Sequence, residues 1–348
     1  MKNSKTLFGL ALLLSVLFTN CSTDEGTLTE DDTSGLPCDN YDNNLLTLNT
    51  AFNNNPNAVL TYNSFLINSL NSSLPSLAGN LTTNTDLTYQ LPTSSSFYND
   101  ANNLHGIFIT RAGKYFAFNA STGIGQEYTA SGDITAPVEL GSSSYLIEVS
   151  NSGYANQAID DHFKIKTFSI NDGTINATLP ISTPNTTFNN NSFFNVESMS
   201  SATNATDELY FLSGTNLITA NTISNTASHI DLYPSFSMND FVRFFGLQYS
   251  ESLGLIAIMD ITDTNTQKLV QIDPASGTYS ELLTIPSNIN SEFYSATYSE
   301  CKETYYLTSL INGSTPTKTR YYEFDLALNT VSNTQTFVDY VFGIELTP

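Results

Sequence analysis

The sequence predicts an all-β fold, a β-propeller, because one strand–turn–strand pattern recurs along most of the chain at a nearly constant interval. Each copy ends in Gly or Asn, the residues that best tolerate the positive φ of a tight turn. These turn residues are Gly123, Gly173, Asn225, Gly277 and Asn329, at steps of 50, 52, 52 and 52 residues. Repeats of this length are typical of propeller blades.

A second marker recurs in phase with the first, an apolar residue followed by proline. The pairs are Leu91-Pro92, Leu179-Pro180, Tyr233-Pro234 and Ile285-Pro286. Proline ends an outer strand at little cost, because an edge strand has no partner for the missing N–H. Two further strands fit between each proline and the next turn, so the repeating unit has four strands. No stretch of the chain shows a convincing amphipathic helix.

The repeat length predicts six blades. Residues 37–348 number 312, and 312 divided by 52 is six. The last segment, 340–347, matches the inner strand at 244–250 but has no blade after it. We therefore expect the C-terminal strand to complete the first blade and close the ring. Residues 37–95 show the pattern least clearly, and seven blades is the alternative.

The amino terminus predicts export and a lipid anchor. Two lysines precede an apolar run over residues 7–18, which is typical of a secretory signal and too short to span a bilayer comfortably. Cys21 follows, and its placement resembles a bacterial lipobox, in which the cysteine becomes the lipidated first residue of the mature protein. Phe18 and Asn20 depart from the usual pattern, which has leucine and a small residue there.

These features divide the chain into three parts. They are a signal peptide over residues 1–20, a lipidated cysteine with a disordered acidic tether over 21–36, and the propeller domain over 37–348. The tether is polar and acidic and has no apolar periodicity, which is typical of disordered segments.

The repeats and the export signal together resemble those of propeller-bearing surface lipoproteins of Bacteroidota, of the flavobacterial type, over nearly the whole chain. The acidic run at 22–25 is similar to the signal that sends lipoproteins of that phylum to the outer face of the outer membrane. The resemblance implies a protein of the outer membrane that faces the cell exterior, held there by a lipid such as palmitate on Cys21. It involves no catalytic motif, so it implies no single activity.

The charge balance narrows the class of partner. The chain has 11 Lys and Arg residues against 33 Asp and Glu residues, for a net charge of -22. So acidic a protein has no surface suited to nucleic acid. The membrane, reached through the lipid on Cys21, and a glycan or surface protein are the partners that remain.

Polar residues at one level of the inner strands form the candidate site. Alignment of these strands puts five residues at equivalent positions: Glu139, Glu197, Gln248, Thr297 and Glu345. If they face the axis, the channel can hold Ca²⁺ or another hard cation, or receive a cationic ligand. The alternative is that a solvated channel needs polar residues there in any case.

A weaker candidate for metal binding lies in a predicted hairpin. Asp260, Asp263 and Asn265 provide oxygen ligands at loop spacing, but the central glycine and distant glutamate of a calcium loop are missing. A polar turn between two strands explains the same residues without a metal.

Two cysteines remain once Cys21 is assigned to the lipid. Cys38 and Cys301 can form a disulfide in an oxidising compartment, which would tie the start of the domain to the last blade. Two free thiols is the alternative.

Two classes of function fit these features. The first is a lipid-anchored binding or scaffold module of the cell surface, whose ligand is a glycan or a protein partner at one end of the propeller. The alternative is a propeller hydrolase or lyase that uses channel carboxylates, with or without Ca²⁺. The absence of H-E-x-x-H, G-x-S-x-G and C-x-x-C motifs favours the first, for which no catalytic residue is assigned.

Overall fold

Strands make up most of the part of the chain that the structure, a computed structural model, describes. The described residues are 44–50, 59–66, 77–83, 95–109, 113–130, 134–149, 163–181, 199–233, 242–261, 266–285, 289–314 and 317–347. The chain divides into Met1–Tyr41 and Asp42–Pro348, and every described residue belongs to the second unit.

The described ranges contain twenty-four strands. They are β1 (Asn44–Thr50), β2 (Val59–Leu66), β3 (Leu77–Thr82), β4 (Ser95–Asn99), β5 (Leu104–Ile109), β6 (Lys114–Asn119), β7 (Gly125–Thr129), β8 (Ile134–Leu140), β9 (Ser143–Val149), β10 (Phe163–Phe168), β11 (Ile175–Thr178), β12 (Ser200–Thr203), β13 (Glu208–Ser213), β14 (Asn216–Asn221), β15 (Thr226–Asp231), β16 (Val242–Ser250), β17 (Gly254–Ile261), β18 (Thr266–Ile272), β19 (Tyr279–Ile285), β20 (Tyr294–Ser299), β21 (Thr304–Leu310), β22 (Lys318–Asp325), β23 (Thr330–Val338) and β24 (Tyr340–Thr347).

These strands form six four-stranded antiparallel sheets, which confirms the predicted six-bladed propeller. Blades two to six each use four consecutive strands, from β4–β7 to β20–β23. Blade one has the order β24-β1-β2-β3, so the C-terminal strand closes the ring, as predicted. The inner strands β24, β4, β8, β12, β16 and β20 contact one another in a closed circle. Among the described residues, no helix is long and apolar enough to cross a bilayer.

The turns that predicted the repeat have the backbone conformation that their residue types suggested. Each lies between the third and fourth strands of its blade and has a positive φ. The values are 68° at Gly123, 70° at Gly173, 53° at Asn225, 71° at Gly277 and 52° at Asn329. The period read from the sequence is therefore a repeated backbone requirement, which only Gly and a few polar residues meet cheaply.

Apolar layers between neighbouring blades form the core. Leu48 and Phe342 of blade one pack with Ile107 and Phe118 of blade two. All four side chains are inaccessible to solvent. Burying one such side chain contributes about 1.5–3 kcal/mol, so the sum over six interfaces holds the ring together.

Three inner strands are bent by a residue with positive φ. Ala136 in β8 has φ 50°, Gly246 in β16 has 67° and Gly343 in β24 has 59°. Each coincides with a shift in strand register, the mark of a β-bulge. A bulge changes which face of the strand the following side chains occupy, so it determines what reaches the channel.

Gly246 is also required by a close approach. The hydroxyl of Tyr305 in β21 donates a hydrogen bond to the Gly246 carbonyl, and it occupies the space where a Cβ would stand. We expect Gly246→Ala to lower the free energy of unfolding by about 2–4 kcal/mol, the sum of left-handed strain and a forced displacement. Urea unfolding of the two proteins measures this loss.

The matched control is Gly254→Ala. Gly254 has φ 76° but no atom within 4 Å of its virtual Cβ, so only the conformational strain, about 1–2 kcal/mol, should appear. Equal losses in the two variants would contradict the steric role of Tyr305.

Candidate functional site

The six inner strands enclose a cavity of about 270 Å³. Because its lining comes from β4, β8, β12, β16, β20 and β24, it lies on the propeller axis. Most of its lining surface is polar. The polar lining residues include Ser96, Tyr98, Glu139, Ser200, Ser201, Thr203, Gln248, Tyr249 and Glu345.

Glu345 on β24 is one of the two carboxyl residues that line the cavity. The Ser96 hydroxyl on β4 donates a 2.7 Å hydrogen bond to its Oε1, and Thr297 on β20 provides a second hydrogen bond. Burial raises the pKa of the Glu345 carboxyl to about 8, and the nearby charge of Glu139 also raises it, against the two hydrogen bonds. Glu345 is therefore mostly protonated at neutral pH and can donate a hydrogen bond as well as accept one.

Glu139 is the second carboxyl of the cavity, and each of its oxygens is held by a neutral donor. Asn99 Nδ2 donates to Oε2 at 2.8 Å, and Ser144 Oγ donates to Oε1 at 3.2 Å. Burial raises the pKa of Glu139, while these two hydrogen bonds oppose the change. These two neutral donors fix the orientation of the carboxyl group, and no described residue pairs with it as a cation.

Three predicted channel residues occupy equivalent positions and face the next blade. Gln248, Thr297 and Glu345 each lie two residues before the last paired residue of their strand. Gln248 Nε2 donates to the carbonyl of Ala296 at 3.0 Å, Thr297 bonds to Glu345, and Glu345 accepts from Ser96. Each contact crosses to the following blade, so the polar network runs around part of the ring.

Glu139 lies one residue beyond the position in β8 that is equivalent to Gln248, Thr297 and Glu345. The predicted alignment is therefore wrong for Glu139. Leu140 is the last paired residue of β8, and Val138 occupies the equivalent position. Glu139 consequently faces the preceding blade, where Asn99 ends β4. Val138-Glu139-Leu140 has the same order of apolar residue, glutamate and leucine as Ile344-Glu345-Leu346, so the residue types suggest an equivalence that the backbone does not have. Counted from the bulge residues, Val138 lies two residues after Ala136, as Glu345 lies two residues after Gly343.

In blade four, Ala202 occupies the position that is equivalent to Gln248, Thr297 and Glu345. Ser200 Oγ accepts from Leu247 N at 2.9 Å, and Ser295 Oγ accepts from Ile344 N at 3.0 Å. Because these two serines are equivalent, Ala202 in β12 corresponds to Thr297 in β20. The predicted channel residue Glu197 precedes β12 and lies outside the described part of the chain.

A metal site in the channel stays a prediction. Within the described ranges, no three His, Cys, Asp or Glu side chains come together to hold an ion. Of the weaker candidates, Asp260 lies in β17, with its Oδ2 3.8 Å from Nε of Arg243. Burial raises the pKa of Asp260, against the charge of Arg243. Asp263 and Asn265 lie outside the described residues.

Cys301 lies in the hairpin between β20 and β21 and is disulfide-bonded. Cys21 and Cys38 both fall outside the described residues. The predicted pairing of Cys38 with Cys301, and the lipid on Cys21, therefore stay predictions.

Sequence reasoning missed the groups that hold the two carboxyls. Ser96, Asn99 and Ser144 each donate to a glutamate on a different strand. Serine and asparagine are common throughout this chain, so their residue types alone gave no signal. Their location in or beside the inner strands was the only feature that pointed to a role in holding the two carboxyls.

Glu345 makes folding stability depend on pH. Its pKa is about 8 in the folded chain against 4.5 for the free group, so between these values the folded state binds more protons. The free energy of unfolding must then fall as pH rises through this window, by at most ~1.4 kcal/mol per pH unit. We expect Glu345→Gln to flatten this decline, as measured by urea unfolding across the window.

The control is Glu281→Gln, since Glu281 is exposed and its pKa is lowered by hydrogen bonds from Lys268 and Thr284. This variant should keep the wild-type slope. Burial lowers the pKa values of His105 and His229 in the folded chain. Wild type and variants all contain these histidines, so their effect on the pH slope cancels when the proteins are compared. Identical slopes for wild type and Glu345→Gln would refute the assignment.

Comparison with known proteins gives similarity to propeller structures alone. No family model and no curated protein matches the chain. Among solved structures, the periplasmic gluconolactonase PpgL of Pseudomonas aeruginosa is 11% identical, with 88% of this chain and 99% of that chain covered and a TM-score of 0.48. A putative TolB of Agrobacterium tumefaciens is 8% identical, with coverages of 84% and 90% and a TM-score of 0.48. AztD of Citrobacter koseri is 8% identical, with coverages of 85% and 82% and a TM-score of 0.39.

Proposed function

We propose that the protein is a binding module of the cell surface, anchored by a lipid on Cys21, and that its propeller takes a glycan in the axial cavity. The observation that carries this proposal is the polar cavity itself, lined by all six inner strands and containing two oriented carboxyls. Catalysis is not needed to explain any of these groups.

The size of the cavity favours a small ligand over a protein surface. Its volume of about 270 Å³ is near the lower end of the range for small-molecule sites, ~300–1,000 Å³. A protein partner would instead bury a wide, mostly shallow patch. One or two sugar units at the end of a glycan fit the available space.

The chemistry of the lining favours hydroxyl groups. Glu139 and Glu345 provide carboxyl oxygens, and Gln248 and Ser201 add an amide and a hydroxyl within the same cavity. Such groups both donate and accept hydrogen bonds, which sugar hydroxyls require. Tyr249 supplies an aromatic ring beside them, on which the C–H face of a sugar can pack.

The test is binding of a panel of neutral and charged monosaccharides and disaccharides, measured by calorimetry. We expect at least one sugar to bind, and Glu139→Gln to weaken it by about tenfold, since a hydrogen bond to a charged group is lost. The matched control is Glu281→Gln, whose carboxylate pairs with Lys268 in the outer half of blade five, and which should bind as wild type does.

Failure of every sugar to bind folded protein would refute the glycan proposal. Turnover of a sugar that disappears in Glu139→Gln and Glu345→Gln would instead favour the alternative of a channel hydrolase or lyase.

The lipid anchor has its own test. We expect the full-length protein, expressed in a flavobacterial host, to incorporate labelled palmitate and to fractionate with the outer membrane. Cys21→Ser should abolish both, because the thiol is the only site of attachment proposed. A labelled Cys21→Ser protein, or an unlabelled wild type, would contradict the anchor while leaving the glycan site untouched.

A further inference from the structure

Among the residues that the structure describes, the two carboxyls of the axial cavity have no basic partner. The described lining contains Glu139 and Glu345 but no Lys, Arg or His. Within the described ranges, the hydrogen bonds to these two side chains come from neutral groups: Ser96, Thr297, Asn99 and Ser144. Neutral donors orient a carboxylate but do not cancel its charge.

Elsewhere in the blades, three partly buried carboxylates have cationic partners, whereas Asp207 and Glu208 are held by the neutral donors Asn221 and Tyr210. Glu127 lies 2.8 Å from Lys114, and Glu148 lies 2.6 Å from Lys166. Asp260 lies 3.8 Å from Arg243. The basic residues of these three pairs thus lie within blades, whereas the described lining of the cavity holds two acids and no base.

Aromatic rings of the same cavity are already held in place. Tyr249 stacks on Tyr210 with ring centroids 6.2 Å apart and planes 8° from parallel. The Tyr98 hydroxyl donates to Asn103 Oδ1 at 3.2 Å. Both tyrosines line the cavity with the two glutamates. A ring face beside a carboxylate attracts an ammonium group in addition to packing against C–H groups.

We propose that the axial cavity binds an amino sugar, a hydroxyl-rich ligand whose free ammonium group pairs with the Glu139 carboxylate and donates a hydrogen bond to the Glu345 carboxyl. This inference rests on the proposed function and specifies its ligand class. The ammonium supplies the positive charge that the lining lacks, and the sugar hydroxyls use the amide and hydroxyl groups already named. The chain's net charge of -22 further draws cations toward the protein.

The test compares three probes of nearly equal shape: glucosamine, glucose and N-acetylglucosamine. Binding is measured by calorimetry at low salt and at a mildly acidic pH, at which the amine of glucosamine is charged. We expect glucosamine to bind at least about tenfold more tightly than either neutral sugar, and this preference to shrink as salt rises. In Glu139→Gln the preference should fall toward unity, because the carboxylate is lost, whereas Glu281→Gln should retain it. Glu345→Gln should retain most of it, since the protonated Glu345 carboxyl offers the ammonium an acceptor oxygen but no charge, and the glutamine amide keeps that acceptor.

The outcomes separate the two proposals. Equal binding of glucose and glucosamine overturns the ammonium inference and leaves the glycan site standing. Absence of binding by any sugar overturns both. A lysine-containing peptide that binds while glucosamine does not also overturns the inference, since the charge would then belong to a protein partner. Unfolding midpoints show whether each Gln variant is folded. If Glu345→Gln does not fold, the binding of glucosamine to Glu139→Gln decides between the outcomes.

Discussion

Antiparallel pairing of the last strand, β24, with the first, β1, is the contact on which the rest of the propeller depends. It runs from Asn44 opposite Thr347 to Thr50 opposite Tyr340, so the two ends of the domain share one blade. β24 also contacts β20 and β4, the inner strands on either side. Without it, blade one would lose its inner strand and both neighbouring blades would lose a packing surface, so closure couples all six blades.

Closure also assembles the candidate site. Glu345 comes from the last strand of the chain, and its hydrogen-bond donor Ser96 comes from the second blade, 249 residues earlier. Thr297 reaches the same carboxyl from the sixth blade. The cavity thus exists only in the closed ring, and any change that opens β24 from β1 should disturb ligand binding and stability together.

Bulges within the inner strands determine which side chains face the cavity. Gly246 and Gly343 stand at equivalent points, and Ala136 takes the same left-handed conformation in β8 at some cost in strain. Beyond each bulge the alternation of faces is reset, which turns Gln248 and Glu345 toward the next blade. The remaining inner-strand positions, such as Val138 and Ala202, are apolar. At this level of the channel, the polar residues therefore come from blades five, six and one, and the apolar residues from blades three and four.

The sequence by itself determined the blade count and the closing strand. Turn residues such as Gly277 and Asn329 recur because each blade needs a positive φ at the same point, and that requirement is local. Tertiary structure alone decided which polar residues meet. Glu139 lies one residue from its predicted position because the bulge at Ala136 sets which residue of β8 is equivalent to Glu345, and Ser96 could not be paired with Glu345 by any local pattern. Contacts between blades depend on bulges and ring closure, and these leave no periodic trace in the sequence.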